Sequence, residues 1–120
     1  MPHFIIDCSA DVLSRATPET LLKCVYQAAT ATGLFAPSGA GGIKVRINPY
    51  QHYLTVGTKD SFIHVFAHIM EGRTQEEKKK LSTAIVTSLS EMRPDIQIIS
   101  VNISDFERAT YCNKAMIDLE

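Results

Sequence analysis

Hydrophobic and polar residues alternate with a period of two in four separate stretches of the chain. Such alternation is typical of a β-strand with one face against a core, because successive side chains point to opposite sides of a sheet. The pattern predicts strands at residues 3–8, 43–47, 61–70 and 96–103.

A helical period separates the first predicted strand from the second. Thr17 is a predicted N-cap, Pro18 occupies the first helical position, and Glu19 lies in the positively polarised first turn. Gly33 provides a stop signal. The buried face of this helix is predicted to consist of Leu21, Leu22, Val25, Ala28 and Ala29.

A second helix is predicted between the third and fourth strands. It begins with a capping box, in which the side chains of Thr74 and Glu77 each accept from the other residue's backbone N–H. It should end before Pro94, because a residue that precedes proline disfavours the helical conformation. Its apolar stripe consists of Leu81, Ile85, Leu89 and Met92.

Turn and loop signals flank the second strand. Asn48 and Pro49 predict a turn, after which residues 53–56 are expected to pair back as a short hairpin strand. The run SGAGG at 38–42 precedes a strand and lacks the lysine of a phosphate-binding loop. We interpret it as a mobile loop.

The order strand, helix, strand occurs twice, at about 2–57 and 58–103, and a tail follows at 104–120. Two right-handed β-α-β units side by side give a four-stranded mixed sheet with both helices on one face. The sequence therefore predicts an α+β fold, an α/β two-layer sandwich. Its 120 residues fit a single domain, 1–120.

The other face of this sheet is predicted to carry both apolar and polar side chains. Such a face is too apolar for open water and too polar for a dry core, which favours a hydrogen-bonded subunit interface and hence a homo-oligomer. The residues assigned to it are His3, Ile5, Asp7, Phe62, His64, Phe66, His68, Ile98, Ser100 and Asn102.

Composition narrows the choice of partners. The net charge of −1 provides no field for binding nucleic acid or an anionic membrane. No apolar run approaches the length of about 20 residues needed to cross a bilayer, and no secretion signal is visible, so we expect a cytoplasmic protein.

Cys8, Cys24 and Cys112 are odd in number and widely spaced, as expected of reduced thiols.

Proline at position 2 stands directly against the first strand. Methionine before a small residue is commonly removed after synthesis, which would leave Pro2 with a free secondary amine. A chain α-amino group has a pKa of about 7.7 to 8.0, and burial or neighbouring cations lower it. Such a nitrogen, held by a strand, could take a proton from carbon next to a carbonyl and return it elsewhere.

Several short motifs occur in the order found in a known family. They are MPHFIIDCS at the start, the helix end TGLF, and then GIKVR, FIHV, EGRTQEEKKKL and SVNISDFE. With them the chain resembles the tautomerase superfamily, and within it 5-carboxymethyl-2-hydroxymuconate isomerase. The resemblance implies paired β-α-β units, a homotrimer, and a cofactor-free proton shift in which the N-terminal proline, here Pro2, is the base.

The resemblance also implies cationic side chains for a small anionic dicarboxylate or tricarboxylate substrate. Arg73, in the turn before the second helix, matches an arginine of the family and is expected to act beside Pro2 in catalysis. Its charge would bind carboxylate and stabilise the dienolate.

The family pattern of isoleucine, arginine, any residue and arginine corresponds to residues 43–46. Lys44 and Arg46 then share one strand face as expected substrate-binding residues. Lysine binds carboxylate as a point charge, without the two-pronged contact of arginine. The sequence therefore does not decide whether the substrate carries a carboxymethyl group. An ungapped match backward from Phe62 places Gly42 at the first arginine position instead.

Two further signals concern metals and the tail. His64 and His68 share a strand face but lie about 13 Å apart along it, too far for one metal ion, so we interpret them as interface or core histidines. No metal or cofactor is expected. In the family a C-terminal segment reaches a neighbouring subunit, so Arg108 or Tyr111 could complete a partner's site.

The predicted function is therefore that of a cofactor-independent isomerase acting on a conjugated 2-hydroxy or 2-oxo carboxylate. One alternative is another enzyme of the superfamily, such as a phenylpyruvate-type tautomerase or a dehalogenase. The other is a non-catalytic trimeric binding protein on the same scaffold.

Overall fold

A computed structural model describes residues 2–35 and 42–117 of the chain. Its elements are β1 (His3–Ser9), a 3-10 helix (Ala10–Ser14), α1 (Pro18–Ala31), β2 (Lys44–Tyr50), β3 (Phe62–Met70), α2 (Gln75–Met92), β4 (Ile98–Phe106) and α3 (Lys114–Ile117).

The four strands form one mixed sheet in the order β2-β1-β3-β4. β1 runs parallel to β2 and antiparallel to β3, and β3 runs parallel to β4. Each parallel pair is joined through a helix, so the two β-α-β units lie side by side and run in opposite directions. The predicted four-stranded mixed sheet is confirmed.

Both long helices begin at the predicted caps. The Thr17 hydroxyl accepts from the backbone N–H of Thr20 over 3.3 Å, and Pro18 is the first residue of α1. At α2, Thr74 Oγ1 accepts from the N–H of Glu77 over 3.1 Å, and Glu77 Oε1 accepts from the N–H of Thr74 over 2.9 Å. These bonds satisfy donors that a helix N-terminus leaves without a partner.

The core lies between one face of the sheet and the two helices. Alternate residues of β1 and β3 enter it, as period two requires, and both helices contribute the apolar stripes expected from their sequence. Each fully buried large apolar side chain contributes roughly 1.5 to 3 kcal/mol to folding. The fully buried residues that define the core are Phe4, Ile6, Cys8, Leu21, Val25, Ala29, Ile63, Val65, Ala67, Ile69, Leu81, Ile85 and Leu89.

The opposite sheet surface, which we call the open face, carries the alternate residues of the strands. Cross-strand pairs place His3 beside Lys44 and His68, and place Phe66 between Ile5 and Asn102. The alternation predicted for this face is confirmed. It mixes imidazole, aromatic, aliphatic and amide groups, and its strand residues are half-buried or exposed.

The connection between β2 and β3 differs from the prediction. β2 continues through Asn48 and Pro49 to Tyr50, where a turn was expected. β2 is an edge strand of this sheet, so the missing N–H of proline costs no ladder hydrogen bond there. Residues 53–56 form no strand, and only an isolated bridge joins Thr55 to Thr58.

β4 reaches Phe106, three residues beyond its expected end at 103, because it pairs along β3 as far as Met70. Of the predicted mobile loop at 38–42, only Gly42 lies within the described residues.

The end of β1 is followed by the 3-10 helix, which the sequence patterns did not predict. Its Val12 is buried, and the Val12 carbonyl accepts from Nη1 of Arg93 over 2.8 Å. The same guanidinium donates through Nε and Nη2 to the two carboxylate oxygens of Asp95, each over 3.0 Å. Arg93 therefore ties the end of α2 to the end of β1.

Cys8 is buried, Cys24 is half-buried and Cys112 is exposed, and all three are free thiols. Burial raises the pKa of Cys8 to about 11. None of the described helices is both long and apolar enough to cross a membrane.

Candidate active site

The strand register brings four strand ends to one end of the sheet, which we call the proline end. His3 pairs with Lys44 and His68, so β1 and β2 begin where β3 ends. Met70 pairs with Phe106, so β4 ends there as well. Since α1 runs back against its strands and α2 follows β3, the end of α1 and the start of α2 meet at the same place.

Pro2 lies at this end and is buried. Its carbonyl accepts from the backbone N–H of Lys44 over 3.0 Å, which extends the β1–β2 ladder to the residue before β1. The alternation along the strand places Pro2 on the helix side of the sheet together with Phe4. The residue that the sequence singled out is thus held in the sheet instead of fraying.

Arg73 reaches the same end from the turn that follows β3. Gly72 in this turn has a φ of +117°, a conformation that L side chains rarely adopt, so glycine suits the position. Nη2 of Arg73 donates to the Leu34 carbonyl over 2.5 Å, and Cζ lies over the Phe35 ring, 5.3 Å from its centroid. The guanidinium is half-buried and oriented by two contacts.

Phe35 links Arg73 to the strand that carries Pro2. Its ring meets the buried ring of Phe4 edge to face, with centroids 6.0 Å apart. An apolar wall therefore runs from β1, two residues after Pro2, to the guanidinium of Arg73. Leu34 and Phe35 belong to the TGLF motif, but no local sequence pattern connects them with a residue 39 positions away, so this contact could not be predicted.

Lys44 and Arg46 share one strand face, as predicted, and this face is the open face. Lys44 Nζ donates to the Gly42 carbonyl over 2.7 Å. Arg46 Nη1 lies 3.0 Å from Nδ1 of His3. Within one chain, the structure therefore places Pro2 and Arg73 at the same end of the sheet on the helix side, and it leaves these two cations on the opposite side.

His3 lies beside these cations. Burial lowers the pKa of His3 below its ordinary value of 6.5, and the charges of Arg46 and Lys44 lower it further. A neutral imidazole accepts a hydrogen bond at one nitrogen, and the Arg46 guanidinium can only donate. The contact therefore requires neutral His3, which the lowered pKa favours.

The tail after β4 folds onto the proline end of its own chain. The Arg108 backbone N–H donates to Glu71 Oε2 over 2.6 Å, and Arg108 Nη2 donates to the Glu71 carbonyl over 3.3 Å. The Tyr111 ring lies 5.7 Å from that of Phe106. Whether either residue also reaches a partner's site stays a prediction.

His64 and His68 both lie half-buried on the open face. Nδ1 of His64 is 2.6 Å from Ser100 Oγ, and its Nε2 is 2.7 Å from Asn102 Oδ1. Across residues 2–35 and 42–117, no three His, Cys, Asp or Glu side chains are grouped to hold a metal ion.

Two opposed β-α-β units under one mixed sheet form the fold of the tautomerase superfamily and of macrophage migration inhibitory factor. The profile of the 5-carboxymethyl-2-hydroxymuconate isomerase family matches residues 2–117, nearly the whole chain. The chain belongs to this family and is an isomerase of the tautomerase type.

Solved structures agree with this assignment. A 5-carboxymethyl-2-hydroxymuconate isomerase from Deinococcus radiodurans R1 is 26% identical, with 94% of this chain and 88% of that chain covered and a TM-score of 0.78. Two more distant structures share the fold. Macrophage migration inhibitory factor of Toxoplasma gondii has 14% identity, coverage of 93% and 96%, and a TM-score of 0.68. A "W0 fused 4-OT wild type symmetric trimer" has 16% identity, coverage of 87% and 86%, and a TM-score of 0.65. No curated protein sequence matches significantly.

Proposed function

We propose that this chain is a cofactor-independent isomerase in which Pro2, after removal of Met1, is the general base. The substrate is a conjugated 2-hydroxy or 2-oxo acid with two or three carboxylates. One observation carries the proposal: Pro2 is buried at the start of a central strand, at the same end and on the same side of the sheet as Arg73. We further propose that residues 1–120 act as a single domain.

The chemistry follows from the environment of the nitrogen. A free α-amino group has a pKa of about 7.7 to 8.0, and both burial and a nearby guanidinium disfavour its protonated form. The neutral amine of Pro2 removes a proton from the carbon next to the carbonyl, which leaves a dienolate. The resulting ammonium then returns that proton to another carbon of the conjugated system, so no other reactant is needed.

Arg73 supplies the charge that this reaction requires. Its guanidinium binds a carboxylate and stabilises the negative oxygen of the dienolate, and a half-buried position strengthens both interactions relative to water. Lys44 and Arg46 would hold a further carboxylate. Because they lie on the open face, we propose that they do so at a boundary between subunits.

The same face supports a homotrimer. It carries the half-buried side chains of Ile5, Phe66 and Ile98 among polar groups that can form hydrogen bonds with another subunit. A solved structure with this fold is described as a symmetric trimer, which supports the proposed assembly. Sedimentation of the native protein should give three times the mass of the chain, and a stable monomer would contradict this part of the proposal.

The deciding experiment combines intact mass with substitution of Pro2. Protein made in cells should lack Met1, and its kcat/KM for 2-hydroxymuconate should fall by roughly 10²- to 10⁴-fold in Pro2→Ala, the range typical of a lost general base. Thermal unfolding should change little. Retained methionine, or full activity in a folded Pro2→Ala protein, contradicts the proposal.

Another branch of the superfamily is the main alternative among enzymes, and pH separates the two. A general base must be deprotonated, so kcat/KM should rise with pH and then level off. A dehalogenase that activates water with a cationic proline would show the opposite dependence.

The similarity of the fold to macrophage migration inhibitory factor favours a binding protein as the second candidate function. A trimer that turns over neither 2-hydroxymuconate nor phenylpyruvate would support it.

A further inference from the structure

The four residues after α1, Thr32–Phe35, form a fixed segment at the proline end. Gly33 has a φ of +73°, the left-handed conformation that ends many helices. The buried Thr32 hydroxyl donates to the Ala29 carbonyl over 2.6 Å and accepts from the Leu34 N–H over 3.3 Å. This turn directs the Leu34 carbonyl and the Phe35 ring toward the start of α2.

Two cationic side chains near the start of α2 hold this segment. Lys80 Nζ donates to the Thr32 carbonyl over 3.4 Å, and Arg73 Nη2 donates to the Leu34 carbonyl over 2.5 Å. The second bond uses a backbone acceptor, so it survives any change of side chain at position 34. The Phe35 ring is therefore the contact of Arg73 in this segment that substitution can remove selectively.

The Phe35 ring has buried support on one side and a cation on the other. Phe4, which is fully buried, meets it edge to face at 6.0 Å, and the Arg73 guanidinium lies over it at 5.3 Å. Arginine stacks on aromatic faces, because its planar, weakly hydrated cation is attracted by the π-electrons. A flexible side chain is thereby confined to few orientations.

We propose that Phe35 is a positioning residue for the isomerase reaction. Resting on the proposed role of Arg73, it holds the guanidinium in the orientation that receives the substrate carboxylate. It does not touch the reacting atoms. An aliphatic side chain of similar size fills the space against Phe4 but offers no ring to the cation, so the two roles can be separated.

The first test is a double-mutant cycle on kcat/KM for 2-hydroxymuconate. Phe35→Leu should lower kcat/KM by roughly 3- to 30-fold, the range that cation–π contacts span. The loss should appear mainly as a higher KM. In the Arg73→Ala background the same change should have an effect within about two-fold, because the partner through which Phe35 acts is gone. An equal loss in both backgrounds overturns the proposal.

Rescue and a matched control complete the kinetic test. Phe35→Tyr keeps the ring and should retain activity close to that of the unchanged protein, whereas a folded Phe35→Tyr as impaired as Phe35→Leu counts against the proposal. Tyr53→Leu is the control, because Lys59 Nζ lies 5.4 Å from the Tyr53 ring, away from the proline end. It should leave kcat/KM unchanged. If Phe35→Leu does not fold, Phe35→Met replaces it.

A measurement without substrate separates this proposal from the role of Pro2. The NMR signal of the Arg73 Nε–H, identified by its loss in Arg73→Ala, should shift in Phe35→Leu as the ring current disappears, and should shift little in Phe35→Tyr. No shift in Phe35→Leu contradicts the proposal even if the enzyme is active. Conversely, an active Pro2→Ala protein rejects the base while leaving this result unaffected.

Discussion

Nη1 of Arg46 lies 3.0 Å from Nδ1 of His3 across the β1–β2 pair. A guanidinium can only donate, so Nδ1 is the acceptor and the imidazole is neutral, with its proton on Nε2. This contact orients a proposed carboxylate-binding residue through an imidazole whose pKa lies below the ordinary histidine value.

Stability should therefore depend on the protonation of His3. Its pKa in the folded protein lies below the ordinary value of 6.5, so between the two values the unfolded chain binds more protons. The contribution of neutral His3 to the free energy of unfolding is fully present above about pH 6.5 and is lost as pH falls through the folded-state pKa. Urea unfolding at pH 8 and pH 5 should show a smaller acid-induced loss for His3→Gln, whose amide oxygen still accepts from Arg46.

His52→Gln is the control for this measurement, because His52 is exposed on the connection between β2 and β3. It should keep the pH dependence of the unchanged protein. The explanation fails if His3→Gln and His52→Gln behave alike.

Val56→Asn should stabilise the protein. Val56 and Gly57 have φ angles of +51° and +79°, and Thr55 and Thr58 exchange two backbone hydrogen bonds of 2.9 Å around them. Positive φ at both central residues is typical of a type I′ turn, which favours Asn-Gly and is strained for a β-branched residue. Val56 is 97% exposed and loses no packing. We expect a gain of about 0.5 to 1.5 kcal/mol in the free energy of unfolding.

Leu54→Asn tests whether polarity alone explains such a gain. Leu54 is 75% exposed on the same connection and does not have a positive φ. Its substitution should change stability by less than about 0.5 kcal/mol. Equal gains in the two variants would mean that relief of backbone strain is not the cause.

Arg73→Lys should keep the charge and lose activity. Lysine cannot form the planar contact with Phe35 or donate in a two-pronged geometry to a carboxylate. With one charged hydrogen bond lost, kcat/KM should fall roughly 10- to 100-fold. Steady-state kinetics, measured at a pH on the plateau of kcat/KM, gives the size of this loss. Arg15→Lys is the control, because Arg15 is an exposed arginine that contacts Asp95. Undiminished kcat/KM in Arg73→Lys would mean that the planar guanidinium is not required at this position.

Arg93→Met should destabilise the protein without impairing catalysis, because it acts at the end of the sheet away from Pro2. It removes the donor to the buried Val12 carbonyl, which should cost about 1 to 3 kcal/mol at neutral pH. The hydrogen bond from Arg93 is the main cause that lowers the pKa of Asp95. Stability from this pair is present above the ordinary Asp pKa and is lost as pH falls through the folded-state value.

The difference in urea midpoint between Arg93→Met and the unchanged protein should therefore narrow below about pH 4. Arg15→Met is the matched control, since Arg15 lies 4.0 Å from Asp95 and is exposed. A surface ion pair of this kind contributes little to stability. The urea midpoint of Arg15→Met should therefore stay close to that of the unchanged protein, both at neutral pH and below about pH 4. If the difference in urea midpoint between Arg93→Met and the unchanged protein widens in acid, the pKa of Asp95 is not lowered by Arg93.

Local signals predicted the fold well, because its elements depend on nearby residues. The N-cap of Thr17, the capping box of Thr74 and Glu77, and the alternation along β1 and β3 can all be interpreted within about ten residues of sequence. The turn predicted at Asn48 and Pro49 is the exception, and it shows the limit of local signals. Turn chemistry indicated a break, and only the position of β2 at the sheet edge, a property of the whole fold, makes the proline acceptable.

The candidate site could be predicted only in part. Pro2 and Arg73 carry recognisable chemistry and neighbouring motifs, so sequence and resemblance were enough to name them as candidates. The contact of Arg73 with Phe35, and that of Arg46 with His3, join segments about 40 residues apart that only the folded sheet brings together. The shared face of Lys44 and Arg46 followed from strand period, but its position opposite Arg73 required the register.

The burial of Pro2 also orders events during synthesis. β1 is a central strand, completed only when β3, which ends at Met70, pairs beside it. An aminopeptidase binds the amino end of its substrate in an extended form, so the ladder bond from the Lys44 N–H to the Pro2 carbonyl competes with removal of Met1 once β1 and β2 have paired. Slow processing, or a fusion partner placed ahead of Met1, would yield a folded but catalytically silent protein.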